Sequence, residues 1–357
     1  MNKIWANSGD GHVMEPADLW TSTLPKRLGD RAPRTEKSER HETVWVDGES
    51  VYRTLNQFAE AGRAPGAWDF AQRLVDMDAE GVVNQLLFPS AGLWVYRIKD
   101  TELFLACCQA YNDWMARDVM GFSERLDGVA MLPMDDVPAA VAELQRAAAL
   151  GFRAVMLAAN TEPGNEYAQE HWDPLWAAAE EAGMVLAVHV GTGTDPRGFR
   201  GPGGVVTNYV ETFIPGQRVV THLTASGVLD RHPGLKLMIA EGGASWVPSL
   251  ADRLDEGYRQ HGEYATPKLS RLPGEIIFSQ VYASFQHDRS AVPAMSAMGF
   301  QNVLWGDDYP HLEGTFGHSQ ETLHGLFDDA EPAVSAAIRI TNYERLLGKS
   351  TAIPAAA

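Results

Sequence analysis

Short apolar segments recur along this chain, each separated from the next by a stretch of helical periodicity, and this alternation constrains the fold more than any other feature. The segments are Ile4–His12, Val82–Pro89, Gly128–Pro133, Ala154–Leu157, Met184–His189, Leu235–Glu241, Ile276–Phe285 and Val303–Asp308. Between them, Phe70, Leu74 and Met77 share a face ahead of Gly81; Leu103, Cys107, Tyr111 and Trp114 do the same further on; and Trp246, Leu250, Leu254 and Tyr258 recur every four residues. Such spacing marks amphipathic helices. Asp136 with Pro138, and Asp173 with Pro174, are helix-opening pairs, and Gly151 and Gly183 close the helices that they start. Helical pattern over 208–232 is broken by Pro215-Gly216, and Ser290 opens a short helix ending at Gly299. Strands that each need a helix to return to the next one form a parallel sheet. The expected class is therefore α/β, a (β/α)8 barrel. An open dinucleotide-binding sheet lacks support, because no Gly-x-Gly-x-x-Gly follows any strand.

Residues 17–65 interrupt the rhythm early. They are polar and proline-bearing, with one hairpin where Thr43–Val46 meets Asp47-Gly48 before Ser50–Tyr52, and they read as an insertion over the barrel mouth. Helical segments at 320–327 and 331–347 follow the last strand. One domain over residues 1–350 with a disordered small-residue tail, 351–357, is the expected organisation.

Charge narrows the partners. Against 29 Lys and Arg stand 47 Asp and Glu, a formal charge of −18 that disfavours nucleic acid or an anionic membrane. A small-molecule substrate is expected. No apolar run is long enough for a bilayer and the start lacks a secretory h-region, so a cytoplasmic location is expected. The two cysteines, Cys107 and Cys108, are neighbours on a helix and read as buried hydrophobes.

Active sites of such barrels lie at the C-terminal strand ends. There the sequence places Asp10 and His12 on the first strand, two residues apart and so on one face, then His189, Glu241, His287-Asp288 and Asp307-Asp308 on the fifth to eighth. Closing the eighth strand on the first brings Asp307 or Asp308 beside Asp10 and His12, with His189 across the mouth. Two imidazoles and two carboxylates suit Zn²⁺ and, less selectively, Mn²⁺ or Fe²⁺. Trp20, Trp94, Tyr96, Phe199, Phe285 and Trp305 offer aromatic surface near the mouth for a flat apolar substrate.

Taken together, Asp10-Gly-His12 with Glu15-Pro16, His189, Glu241-Gly-Gly-Ala-Ser-Trp246 and Trp305-Gly-Asp-Asp-Tyr-Pro-His311 resemble the amidohydrolase-related branch of the amidohydrolase superfamily. That branch includes aminocarboxymuconate semialdehyde decarboxylase and the resorcylate-type decarboxylases. The resemblance implies one divalent metal on Asp10, His12, His189 and Asp308, and a homodimer. It departs at the end of the sixth strand, where the decarboxylases carry His and this chain carries Glu241. A Glu beside a metal-bound water is a competent base, so the expectation is hydrolysis of a C–N or C–O bond, with decarboxylation of an aromatic or unsaturated acid as the alternative. Glu241, Asp308 and His287 are the expected catalytic groups, and Trp94, Phe285, Trp305 and His222 the expected substrate contacts. His311 reads as a loop anchor, and Gly191–Thr194 as a loop that gives the substrate room.

Overall fold

The structure, a computed structural model, describes residues 2–193 and 201–354. A first strand, β1 (Ala6–Val13), leads into a small antiparallel sheet of β2 (Arg34–Lys37), β3 (His41–Val46) and β4 (Glu49–Leu55). Seven further strands then follow, β5 (Val82–Pro89), β6 (Leu126–Met131), β7 (Ala154–Ala158), β8 (Val185–His189), β9 (Lys236–Ala240), β10 (Val281–Phe285) and β11 (Val303–Trp305). These seven and β1 form one parallel sheet in the order β1-β5-β6-β7-β8-β9-β10-β11. The ring closes where Gly11 bridges Tyr309, with His12 N donating to Tyr309 O at 2.6 Å and Asp308 N to Asp10 O at 2.8 Å. The expected (β/α)8 barrel is thus present. Its strands are buried along almost their whole length, as strands covered on both faces must be.

Local chemistry explains most boundaries. Asp69 accepts from the N–H groups of Ala71 and Gln72 to start the helix Phe70–Glu80, and Gly81 ends it in the left-handed region. Asp136 likewise caps Val137–Ala149. The hairpin turns on Asp47 and Gly48, both with positive φ, the requirement of a tight two-residue connection.

Four expectations change. The segment 17–65 holds more than the one expected hairpin: β2 joins it to make three strands, and its polar sequence hid it because it is an exposed edge. Ile276–Gln280 is helix, not strand; Pro273 opens Pro273–Gln280 and Glu275 accepts from Leu272 N at 2.9 Å, while Ile276 and Ile277 supply a buried face. Pro215 starts the helix Ile214–Ala225 rather than breaking one, because its missing N–H falls in the first turn. The last strand stops at Trp305, since Asp308 is left-handed (φ 49°) and cannot continue a ladder. Residues 355–357 of the expected tail lie outside the described residues. Cys107 and Cys108 are buried and unbridged, as expected.

Where β11 leaves the ladder, Gly306 passes so close to β1 that an added Cβ would lie 2.6 Å from Asp10 Cβ. Gly306→Ala is expected to destabilise by roughly 1–3 kcal/mol through overpacking. Gly257→Ala, inside the helix Trp246–His261 with nothing within 4 Å, should be neutral or stabilising. Urea denaturation of both variants checks the contrast; equal midpoints would show that the seam tolerates a side chain.

Candidate metal centre

Four side chains from three parts of the sequence meet in the mouth at full burial: Asp10 and His12 from β1, His189 at the end of β8 and Asp308 after β11. Register shifts in β1 between Ala6 and Ser8, and between Ser8 and Gly11, interrupt its regular pairing just where these residues lie.

Hydrogen bonding fixes the imidazoles. His12 Nδ1 lies 2.9 Å from Pro89 O and His189 Nδ1 lies 2.8 Å from Val190 O. A carbonyl only accepts, so each Nδ1 carries a proton, and in the neutral form of each ring Nε2 is the bare nitrogen. The two Nε2 atoms are 3.0 Å apart. Around them, His12 Nε2 is 3.5 Å from Asp308 Oδ1 and 3.9 Å from Asp10 Oδ1, and His189 Nε2 is 3.6 Å from Asp10 Oδ1. Among the described residues, both Asp10 oxygens and Asp308 Oδ2 are buried without a hydrogen-bond partner. A single proton satisfies two of these atoms; a cation satisfies two nitrogens and two oxygens at once, so the donor set fits a divalent metal.

The metal-free site treats its two rings differently. Burial, with the His311 and His189 rings close by, holds His12 well below the ordinary imidazole range. Burial would lower His189 too, yet Asp10, with the Glu241 charge and the Val190 carbonyl, more than reverses it and leaves that ring raised. The two shifts differ in sign because His12 has His311, His189 and Arg73 as charged neighbours, whereas His189 has Asp10 and Glu241. Burial, then the Asp10 charge, pushes the Asp308 carboxyl up.

Glu241 joins this group. Its carboxylate is 3.6 Å from His189 Nε2 with a side chain 15% exposed, and burial followed by the Asp308 charge raises it well above the carboxylate range. No Lys or Arg pairs with it among the described residues. Its backbone is left-handed (φ 55°), with its N–H donated to Ser284 Oγ at 3.0 Å. Of the three non-glycine residues with positive φ among those described, two are Glu241 and Asp308. Strain of this kind persists where the surroundings hold a side chain in place.

Asp307, the alternative to Asp308, is engaged elsewhere. Ser8 Oγ donates to its Oδ1 at 2.6 Å and Gln85 Nε2 to its Oδ2 at 2.7 Å, and burial lifts it to about 6. Arg73, fully buried, donates to Gln85 Oε1 and to the His12 carbonyl, both at 2.7 Å, and lies over the Tyr309 ring.

The other expected residues are scattered. His287 is exposed, with Nε2 donating to Glu313 O at 2.9 Å and its ring stacked on His318. His222 is half-buried on Ile214–Ala225, with Arg218 and Glu166 as its charged neighbours. Phe285 and Trp305 are buried in the barrel, whereas Trp94 is partly exposed and stacks on Tyr52 of β4 at 5.0 Å. Trp20 and Tyr96 are buried, their Nε1–H and O–H donated to the carbonyls of Cys107 and Met156, so they serve packing. Phe199 and Thr194 lie outside the described residues. A cavity of about 110 Å³ beside the mouth, lined by Tyr96, Met134, Asn160 and Tyr167, touches none of the four converging groups.

Three features were not read from sequence. His311 is more than an anchor: its Nδ1 donates to Asp308 Oδ1 at 2.9 Å and its ring centroid lies 4.1 Å from that of His12. Its spacing three residues after Asp308 was the available signal. Phe88 at the end of β5 packs on His189 with centroids 4.8 Å apart. Glu15 accepts from the N–H groups of Gly92 and Ala91 at 2.8 and 3.0 Å, fixing the turn after β5.

A family model described as Amidohydrolase matches residues 17–349. Gamma-resorcylate decarboxylase of Rhodococcus jostii is 28% identical over 289 residues, 73% of this chain and 85% of that protein. An amidohydrolase from Mycobacterium avium subsp. paratuberculosis superposes with a TM-score of 0.80 at 19% identity, over 98% of this chain and 100% of that one. A dihydroxybenzoic acid decarboxylase from Polaromonas, solved with manganese and 2-nitroresorcinol, gives 0.66 at 19% identity, over 98% and 97%. These two likenesses establish the fold. The curated relatives correct the expectation of hydrolysis, since they are named for decarboxylation. A metal beside a carboxylate serves either chemistry, so the Glu241 position alone was a poor guide to reaction type.

Glu15 yields a pH test away from the cluster. Burial raises its carboxyl from 4.5 to about 7 despite the backbone donors. The folded state then keeps a proton that the unfolded chain releases, so its contribution to stability declines as pH rises from about 4.5 to 7 and levels off above. The stability difference between wild type and Glu15→Gln should fall across that window in denaturant titrations. A difference that stays flat or climbs would show that Glu15 is charged in the fold.

Proposed function

Because this chain belongs to the amidohydrolase family, we propose that it is a metal-dependent, non-oxidative decarboxylase of a small aromatic or unsaturated carboxylic acid. The observation that carries the reading is the pair of bare Nε2 atoms 3.0 Å apart between two buried carboxylates, in a chain whose curated relatives are named decarboxylases. Asp10, His12, His189 and Asp308 are the proposed ligands of a divalent ion. Zn²⁺ and Mn²⁺ both suit two nitrogens and two oxygens, and the manganese bound in the Polaromonas decarboxylase supports Mn²⁺. Such an ion supplies positive charge that orients the substrate's oxygens and draws electron density toward them.

The chain's own groups supply the rest. Phe88, fully buried, backs His189, and Trp94 offers a partly exposed aromatic surface where it stacks on Tyr52 of the insertion. Glu241 is the proposed proton donor. As the bond between ring or vinyl carbon and carboxylate breaks, its electron pair stays on that carbon and CO₂ departs. The Glu241 proton then forms the new C–H bond, and the partly exposed carboxylate regains a proton from water. His311 holds Asp308 in place through Nδ1. A homodimer is part of the same proposal, supported by the exposed apolar residues Val205, Val206 and Val210 of the helix Gly204–Glu211. No helix among the described residues is long and apolar enough to cross a membrane.

CO₂ release from a panel of hydroxybenzoates and unsaturated acids tests the reaction, and a panel without any turnover would defeat it. Glu241→Gln keeps the shape but removes the proton, so turnover should drop by roughly 10²- to 10⁴-fold with metal content unchanged. His12→Ala or His189→Ala should instead lose the tightly held ion by elemental analysis; retention of metal in both would refute the ligand set.

A further inference from the structure

We propose that the cavity beside the mouth is a separate small-molecule site, one that takes a short primary alkylammonium ion. Four consecutive strand ends build it, with Tyr96 and Lys99 after β5, Asp135 after β6, Asn160 and Glu162 after β7, and Gly193 after β8. Its volume is about 110 Å³, and none of Asp10, His12, His189 and Asp308 lines it. A void of roughly 150 Å³ holds benzene, so this one takes roughly four to five non-hydrogen atoms.

The lining sorts into an apolar floor and a charged rim. Tyr96, Phe104, Met134, Ala158 and Tyr167 are all buried and make a largely aromatic floor. Both tyrosine protons are already committed, Tyr96 O–H to Met156 O at 2.9 Å and Tyr167 O–H to Ala158 O at 2.8 Å, so neither is offered to a ligand. Lys99, Asp135 and Glu162 are exposed and form the rim. Lys99 is spent on Glu162, the two closing an ion pair between the loops after β5 and β7. Asp135 has no Lys, Arg or His partner among the described residues; burial, with the Asp136 and Asp100 charges close by, raises its carboxyl. Two acids against one lysine leave the rim negative.

Asn160 supplies the independent observation. It is 8% exposed, and its backbone N–H and its Nδ2 both donate to Thr192 O at 3.2 Å. Its Oδ1 accepts from no donor among the described residues, and a buried acceptor is costly to leave bare. A ligand here must therefore bring N–H or O–H groups. An ammonium brings three and a positive charge, enough for Asn160 Oδ1 and Asp135 together, while its alkyl chain and the aromatic floor attract each other and the ring faces favour the cation. A carboxylate brings no donor and meets Asp135; an alcohol brings one donor and no charge. The walls are fixed before any ligand arrives. Gly193 packs so tightly that an added Cβ would lie 2.1 Å from Asn160 O, and Thr192 Oγ1 accepts from Ala159 N and donates to His189 O, both at 2.7 Å. Binding then costs little ordering.

Saturation-transfer NMR of the full-length protein with n-propylammonium, propionate and 1-propanol tests the site; it reads binding rather than turnover, so its outcome is separate from that of the decarboxylation assays. The amine is expected to bind with a millimolar dissociation constant, at least about tenfold tighter than either of the other two. Asp135→Asn should weaken it by roughly tenfold or more, whereas Lys99→Gln, which releases Glu162, should tighten it by roughly two- to fivefold. Both replacements fall at exposed positions, and circular dichroism checks their folds. Opposite signs at the two rim residues are what a cation in this cavity requires. Propionate or 1-propanol binding as tightly as the amine would overturn the assignment. So would an affinity for the amine that Asp135→Asn leaves unchanged, a weakening by Lys99→Gln, or no saturation transfer to the amine at all.

Discussion

Two imidazole nitrogens with lone pairs aimed at each other across 3.0 Å are the arrangement on which the mouth of this barrel depends. Neither ring is free to turn away, because the Nδ1–H of each is committed to a backbone carbonyl, Pro89 O for His12 and Val190 O for His189. Those carbonyls belong to strand ends that the parallel ladder holds in register. The barrel therefore sets the tautomers, and the tautomers set what fits between the rings. A metal ligand's orientation is usually fixed by such an outer hydrogen bond, and here both donors use the main chain, which no side-chain substitution removes.

Beneath the centre, a buried polar seam joins the first and last strands. Hydrogen bonds link Ser8 and Gln85 to Asp307, and Arg73 to Gln85, between β1, β5, the helix Phe70–Glu80 and the loop after β11. Burial outweighs the neighbouring charges and hydrogen bonds, bringing Arg73 down to about 10 and lifting Asp307 to about 6, so each lies nearer to neutrality than usual. A buried pair of this kind contributes little net stability, because desolvation offsets most of the attraction. Its value lies in geometry: Arg73 also donates to the His12 carbonyl, which ties the seam to the centre. Only short-range ladder contacts close the ring at Gly11 and Tyr309, so these side chains supply much of what holds Asp308 against Asp10.

How far the sequence foretold this differs from residue to residue. The barrel was legible because eight apolar strands alternating with capped helices admit few other solutions, and Asp10, His12, His189 and Asp308 converge since strand ends of one barrel share a mouth. Asp307 and Asp308 were not separable by spacing; the choice is made by Ser8 and Gln85, distant residues that occupy one of them. Ile276 and Ile277 favoured a strand by propensity, and the Pro273 and Glu275 signals at the helix start overrode it.

Reaction type was the least legible property, and the geometry gives the reason. Glu241 and Asp308 are carboxylates held in left-handed backbone on neighbouring sides of one buried point. A carboxyl in that position can take a proton from water or give one to carbon, and its residue type does not say which. What differs between the two reactions is whether a nucleophile or a proton arrives at the substrate, and that depends on which substrate atom lies nearest Glu241. Relatives named for decarboxylation favour the second reading from outside the residue itself. The same fold carrying His or Glu at the sixth strand end is then explicable. Either side chain can deliver a proton from that place, provided that the strand end turns it inward, and the positive φ of Glu241 turns the chain just where β9 leaves the ladder.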